Sequence, residues 1–363
     1  MSLIDRLIDW RNRRIANPGF QAFALRNPLL RPIAQRSAAR SFDLVAGFVY
    51  SQILSAAVET QLLQSAADAP LDAAHFAKVS GLSPDGADRL IRAAAALGLL
   101  YRRKDGRYGL GEMGAALLGN APVLAMIRHH QALYSDLAGI TPLLKARSQE
   151  TELSRFWAYQ TDAGTDDAAA YSRLMAETQA LVAADILAAY SFKRHRCLMD
   201  VGGGLGGFLE RAGTRYPHLT LKLVDLPPVT ALAQTRLATT PLAARMAHCP
   251  MDFLSGALPD GADLITLVRV LHDHDDGPAL DLLRRIRAAL PPGGRLLIAE
   301  PMAGARGAER MGDGYFGLYL WAMGQGRPRR ADEIAGLLKQ AGFESSRRLR
   351  APNPLLVSAI LAK

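Results

Sequence analysis

The alternation of hydrophobic and polar positions changes rhythm along this chain. Leu3, Ile4, Leu7, Ile8 and Ile15 fall on one helical face and several arginines on the other, which predicts an amphipathic, surface-seeking helix. Asn17-Pro18, Asn27-Pro28 and Arg31-Pro32 then interrupt the segment. From Phe42 to about Leu118 the pattern is helical. Leu71-Asp72-Ala73-Ala74 starts a short helix, Ser83-Pro84-Asp85 caps the next, and Ile91 to Leu100 continues it with small alanine faces. Tyr101 to Tyr108 reads as two short strands around Asp105-Gly106, so this stretch has a winged-helix outline. Residues 120 to 190 look all-helical, with Met126, His129, His130, Tyr134, Phe156, Trp157, Tyr171 and Met175 scattered on apolar faces.

From about Lys193 the pattern becomes strand, helix, strand. Cys197 to Val201, Thr220 to Val224, Leu264 to Val268 and Arg295 to Ala299 are short apolar runs suited to buried parallel strands. Leu280, Leu282, Leu283, Ile286 and Leu290 give a helix with one apolar side, ended by Pro291-Pro292-Gly293-Gly294. The expected architecture is an α/β, Rossmann-like doubly wound sheet preceded by an all-helical, winged-helix domain. Its expected divisions are a basic arm over 1–41, the winged helix over 42–118, a helical linker over 119–192 that contributes to a cleft, and the sheet domain over 193–363. No internal repeat or low-complexity tract interrupts this plan.

Composition narrows the class. With 363 residues, 49% hydrophobic and 21% charged, the chain can bury a sizeable core and favours more than one domain. No uninterrupted apolar run reaches the length of a spanning helix, and the first residues lack a signal-peptide core, so a cytosolic protein is expected. Cys197 and Cys249 stand alone, without C-x-x-C spacing, as ordinary core thiols. Net charge is +9, and residues 1–42 hold eight arginines against Asp5 and Asp9, so most of the basicity is local. Two readings of that arm remain equal, packing on a second subunit and attachment to an anionic membrane. A basic winged helix also raises DNA binding. Yet the helix from Ser83 to Gly98 carries only Arg89 and Arg92 as cations, and Ala93 to Ala96 offer no base-reading groups. Packing against another subunit is favoured, with no nucleic-acid partner.

Candidate chemistry begins at Asp200-Val201-Gly202-Gly203-Gly204-Leu205-Gly206-Gly207, where an apolar strand ends in a carboxylate and runs into a glycine-rich turn. Glycines permit positive φ and leave no Cβ in the way, so backbone amides can approach a nucleotide-like ligand. Gly202, Gly204 and Gly207 satisfy G-x-G-x-x-G, and Asp225 follows where a ribose-binding acid belongs. Those letters alone suggest a dinucleotide. Asp200 argues against it, because a carboxylate there would repel a pyrophosphate and attract the ammonium of S-adenosylmethionine. Asp225 ends the second strand, placed to accept from two ribose hydroxyls. Asp252-Phe253 comes near the end of the expected third strand, where an acid would meet an adenine amino group and an aromatic would pack on the ring.

The second feature is Arg269-Val270-Leu271-His272-Asp273-His274-Asp275-Asp276, just after the fourth strand and on the rim where such sheets bind ligands. His272-x-His274-x-Asp276 resembles the start of a binuclear zinc signature. His274 is the last histidine in the chain, so no further imidazoles follow, and no metal is expected. Glu300 ends the fifth strand. A carboxylate there is expected to accept the His272 imidazole N–H, fix its tautomer and support its positive charge, giving an acid–base pair.

These residues resemble the class I S-adenosylmethionine-dependent O-methyltransferases, in the branch holding plant phenylpropanoid and acetylserotonin enzymes. The motif D-V-G-G-G matches Asp200 to Gly204, D-L-P matches Asp225 to Pro227, and L-H-D-W-D-D matches Leu271 to Asp276. The resemblance implies S-adenosylmethionine as cofactor, His272 as base and Glu300 as its support. It places Asp200, Gly202, Gly203, Gly204, Asp225, Asp252, Phe253 and Arg269 on the cofactor, and a substrate-side methionine near Met175. Met175, Tyr319 and Met323 are the candidate substrate contacts. The winged-helix unit is implied to serve dimerisation, giving a homodimer. Two departures stand out. His274 occupies the family's usual tryptophan position, and Pro328 takes the place of a second supporting glutamate.

The basic arm, the stretch from Phe42 to Gln52 and Gly324-Gln325-Gly326-Arg327-Pro328-Arg329 narrow the resemblance to the carotenoid O-methyltransferases of purple bacteria. That implies methylation of a C1 tertiary hydroxyl on a long acyclic polyene, a hydrophobic substrate residing in membrane, and gives the arm a reason for peripheral attachment. Other acceptors remain open, among them a soluble phenol or polyketide, or carbon methylation of a tetrapyrrole. Dinucleotide oxidoreduction and DNA-binding regulation are the readings from other classes.

Overall fold

The computed structural model describes residues 1–145, 150–157, 179, 181–353 and 357–363. Its contacts divide the chain into two compact units, Met1–Gly119 and Asn120–Lys363.

In the first unit, α1 (Leu3–Ala16) begins at Ser2, whose hydroxyl accepts the Asp5 amide while the Asp5 carboxylate accepts the Ser2 amide. This capping box satisfies otherwise orphaned donors. No residue of α1 is buried, and Leu3, Ile4, Leu7, Ile8 and Trp10 all lie open. The prolines act as expected at two of the three interruptions. Asn17 caps α2 (Pro18–Arg26), and Asn27 ends it. Pro32 instead sits in the first turn of α3 (Arg31–Glu59), where proline costs no hydrogen bond. One helix therefore runs through position 41, where the sequence pattern ends the arm. The sequence has no uninterrupted apolar run of spanning length, but one helix reaches that length with polar interruptions. By length and composition α3 could cross a membrane, with 17% of its most apolar window buried. Leucine, valine, isoleucine, phenylalanine and alanine lift its mean hydropathy although polar residues interrupt it. A single such helix near the N-terminus is weak evidence of a span.

The winged-helix outline is present: α4 (Leu62–Asp68), α5 (Ala73–Ser80) capped by Asp72, α6 (Pro84–Ala96) capped by Ser83, and a ribbon of β1 (Leu100–Arg102) and β2 (Tyr108–Leu110). Phe76, Ile91, Leu62 and Leu100 fill its core. A further helix, α7 (Glu112–Leu118), closes the unit.

The second unit opens with α8 (Ala121–Leu137) and is built on a seven-stranded sheet. The strands are β3 (Cys197–Val201), β4 (Thr220–Asp225), β5 (Met246–Pro250), β6 (Leu264–Val268), β7 (Arg295–Glu300), β8 (Ser346–Leu349) and β9 (Ser358–Ala362). Their order is β5-β4-β3-β6-β7-β9-β8, with β9 antiparallel to its neighbours β7 and β8. The order reverses between β3 and β6, which opens a crevice beyond their carboxyl ends. Alternate residues feed the two faces. Leu198, Leu264, Val268 and Leu297 pack with Phe208 and Leu209, while Met199, Ile265, Leu267 and Ile298 pack with Leu282, Leu283 and Ile286. Each such side chain stabilises the fold by roughly 1.5–3 kcal/mol on burial.

Candidate active site

Asp200 and Thr266 are register partners on neighbouring strands, so their side chains meet on one face. The Thr266 hydroxyl donates to Asp200 Oδ1 at 2.6 Å, while Oδ2 is buried without a partner. Burial, with the nearby Asp225 adding to it, pushes the Asp200 carboxyl up to about 7. A carboxylate so placed is costly unless a cation joins it. Gly202, Gly204 and Gly206 take positive φ, and a Cβ on Gly204 would meet nothing within 4 Å. A Cβ on Gly203 would come to 3.0 Å from Asp200 Oδ2. The glycines thus keep the space above the orphaned oxygen clear. Asp225 accepts the Gly204 amide on one oxygen at 2.7 Å and the Leu226 amide on the other at 2.8 Å. Burial lifts its carboxyl to about 6 against those two bonds. Together these residues fit a ligand with an ammonium for Asp200 and hydroxyls for Asp225, as S-adenosylmethionine has.

Asp252 is exposed and spends one oxygen on the Leu254 amide, and Phe253 stands edge-on to His274 with centroids 5.9 Å apart. His274 therefore fills the tryptophan position as a packing ring. Burial holds its pKa below the usual histidine value, so it is neutral near pH 7. Arg269 has φ of 60°, a left-handed conformation that non-glycine residues seldom adopt. Its amide donates to the Ala299 carbonyl at 2.8 Å, which carries the chain from β6 across to the end of β7.

His272 sits in a single 3₁₀ turn, Leu271–Asp273, and is buried. The expected bond between Glu300 and the imidazole is not formed. Glu300 Oε2 accepts the backbone N–H of His272 at 3.0 Å, and Oε1 is buried without a hydrogen bond. The carboxylate at the end of β7 reaches the main chain of the turn and so holds the residue by its backbone. The charge partner of the ring is Asp273, whose Oδ1 lies 3.0 Å from Nε2. The two form an ion pair when the ring is charged. Nδ1 is buried without a partner and is the ring atom left to take a proton. Burial opposes the charged imidazolium, but Asp273 and then Glu300 outweigh it and hold the His272 pKa above its ordinary value, with Arg269 opposing them. Asp273 lay inside the quoted motif without a role. Only its adjacency to His272 hinted at one.

Aromatic rings extend the site on the far side of His272. Residues 310–316 wind as a π-helix, and Phe316 at its end stacks on His272 with centroids 5.8 Å apart and planes 28° apart. Such widened turns are frequent at functional sites. Tyr315 meets Phe316 edge-on and stacks on Tyr319. The hydroxyls of Tyr315 and Tyr319 lie 2.7 Å from Nε2 of His130 and of His129. Burial lowers both histidines, His129 to about 4, and raises Tyr315, so these pairs are uncharged at neutral pH. Tyr319 is thus tied to α8. Met323, on the same helix Gly317–Met323, is buried among Leu133, Leu143 and Leu153. Met175 lies outside the described residues. Among the described residues no group of histidine, cysteine and acidic side chains could hold a metal ion.

Residues 127–344 match the O-methyltransferase domain, and residues 42–120 match the O-methyltransferase dimerisation domain. The chain is 45% identical over 347 residues to demethylspheroidene O-methyltransferase of Cereibacter sphaeroides, covering 94% of this chain and 91% of that protein. It is 41% identical over 344 residues to demethylspheroidene O-methyltransferase of Rhodobacter capsulatus, covering 93% and 85%. Among solved structures, "PigF with SAH" superposes with a TM-score of 0.73 at 25% identity, covering 89% of this chain and 98% of that one. The orphaned Asp200 oxygen, the open glycine turn and the matched domain lead to one conclusion: the chain belongs to the S-adenosylmethionine-dependent O-methyltransferases.

Proposed function

We propose that the protein methylates the C1 tertiary hydroxyl of an acyclic carotenoid of the demethylspheroidene type, a step of spheroidene synthesis in photosynthetic bacteria. The observation that carries this reading is the identity of 45% and 41%, over more than nine-tenths of the chain, to two proteins with that activity in their names. S-adenosylmethionine, when bound, supplies a methyl group on a sulfonium centre. Asp200 would hold its ammonium, Asp225 its ribose hydroxyls, and Asp252 and Phe253 its adenine. Gly202, Gly203 and Gly204 would leave room for it, and Arg269 would border it.

On the acceptor side, His272 takes the hydroxyl proton on Nδ1 as the oxygen attacks, and Asp273 and Glu300 support the imidazolium that forms. A tertiary alcohol is about as weak an acid as water, near 15.7, against about 6.5 for imidazole. Complete deprotonation beforehand would cost about 12 kcal/mol, so proton removal accompanies attack. Tyr319 and Met323, together with Met175, contact the hydrocarbon. The uncharged His129–Tyr319 and His130–Tyr315 pairs suit an apolar chain. Incubation with methyl-labelled donor and a membrane pigment extract tests the reading. Label in a carotenoid ether supports it, and label only in water-soluble phenols overturns it.

The working protein is a cytoplasmic homodimer joined through residues 42–118, and the arm over 1–41 rests on the membrane that dissolves the substrate. Open leucines, isoleucines and Trp10 on α1, set among arginines, suit an anionic lipid surface. Sedimentation with vesicles containing anionic lipid, compared with neutral lipid, tests this. Equal recovery in the supernatant with both removes the membrane from the proposal.

A further inference from the structure

The irregular segment from Gly326 to Arg329 holds the turn that carries His272 from outside the motif. The guanidinium of Arg329 is fully buried and donates to the carbonyls of Leu271 at 2.9 Å and His274 at 2.7 Å, bracketing His272 in the chain. Its Nε donates to Asp276 Oδ1 at 2.9 Å. The amide of Arg327 donates to the His272 carbonyl itself at 2.9 Å, and the Gly326 amide donates to Asp275 Oδ1 at 3.1 Å. The segment is anchored in turn by the Ala303 amide on the Arg329 carbonyl and by the Arg327 side chain on Asp276 and Glu333. Gly326 has φ of 78°, and a Cβ there would stand 2.2 Å from the His272 carbonyl oxygen. No side chain larger than hydrogen fits without moving the turn.

We propose that Gly326 and Arg329 are positioning residues for His272, and that this clamp replaces the second supporting carboxylate that Pro328 removes. The proposal rests on His272 being the base. The clamp works on the main chain, where a planar guanidinium fork fixes two carbonyls at once in a geometry that a lysine ammonium does not reproduce. It also acts on charge. Arg329 faces Glu300, which burial drives toward its protonated form and which His272 and Arg329 oppose. The titratable and charged groups that face His272 are Asp273 and His274, beside it in sequence, and Glu300 and Arg269 outside the turn. Loss of the fork lets the turn shift relative to Glu300 and Arg269.

The test compares Arg329→Lys and Gly326→Ala, the second leaving every charge in place. Both are checked for cooperative melting and for S-adenosylmethionine binding by calorimetry. The clamp predicts that donor affinity stays within about twofold while kcat falls roughly tenfold for Arg329→Lys and roughly a hundredfold for Gly326→Ala, as misplacement by about an ångström does. It also predicts that the His272 imidazole, followed by nitrogen-15 NMR in the donor-free protein and assigned by its absence in His272→Ala, titrates at a different pH in both variants. A purely structural role would lower the melting temperature and leave that titration and the pH profile in place. That outcome, or unchanged kcat, overturns the clamp. Full activity of His272→Ala instead overturns the base assignment, separately from either variant.

Discussion

The two rims of the crevice are built differently. On the cofactor rim, Asp200, the glycine turn and Asp225 come from two adjacent strands and the turns that follow them. On the acceptor rim, His272 is held by Glu300 from β7, by residues 326–329 and by Phe316 from a π-turn. The first rim is local in sequence and ends in a buried carboxyl oxygen without a hydrogen-bond partner among the described residues. The second is assembled from distant segments and gives the His272 main chain several partners, while leaving Nδ1 without one. A binding site can be held ready by a short motif, whereas a base that must be aimed needs support from many directions.

The largest effect that would sharpen this contrast is His272→Ala. With donor saturating, kcat is expected to fall by about 10²–10⁴, while donor affinity holds, as loss of a general base does. Unchanged turnover would remove His272 from the reaction. Asp200→Asn is expected to do the reverse, weakening donor binding by roughly 10–100-fold, the worth of one charge-assisted hydrogen bond. Calorimetry on the variant reads this directly, and unaltered affinity would place the ammonium elsewhere.

Two pH effects follow. Asp200 must be ionised to meet a cation, and its folded pKa is raised to about 7. Donor affinity should therefore rise between about pH 6 and 8, and Asp200→Asn should flatten that slope. Stability of the donor-free protein runs the other way. A carboxyl raised in the folded state contributes stability below its unfolded pKa and loses it as pH rises through the folded value. Thermal melts without donor should thus decline from about pH 4 to 7, and added donor should shrink the decline. The smaller effect concerns Asp273. Its carboxylate raises His272, so Asp273→Asn should move the acid limb of the pH profile downward by about one unit, with less than tenfold loss near pH 8. An unmoved limb would assign the support to Glu300 alone.

Much of the architecture was legible. The four apolar runs of the sheet domain appear as β3, β4, β6 and β7 within one residue of their expected ends, because fully buried parallel strands are continuous hydrophobic stretches. Ser83 and Asp72 cap helices as read, since capping is decided by neighbours in sequence. The antiparallel β8 and β9 were not read. Ser346–Leu349 is mostly polar and exposed, and β9 becomes an interior strand only through its partners. The helix Arg31–Glu59 was misjudged at Pro32, whose effect depends on whether a helix is starting or continuing there.

In the site, Asp200, Asp225, His272 and Glu300 were named from strand ends, and the sheet brings each to the same rim. What failed was the pairing within the rim. Glu300 holds the main chain of His272, and Asp273 holds its charge. Arg329 and Gly326 carried no catalytic signature, since a buried arginine and a glycine in a basic segment read equally well as surface.

The sequence by itself determined the cofactor side, because a strand end, a glycine turn and an acid beyond the next strand are short-range features whose geometry follows from backbone freedom and charge. Only the tertiary structure decided how His272 is held. The hydrogen bonds that hold His272 join residues 28 to 58 positions apart, and which carbonyl meets which donor is set by packing.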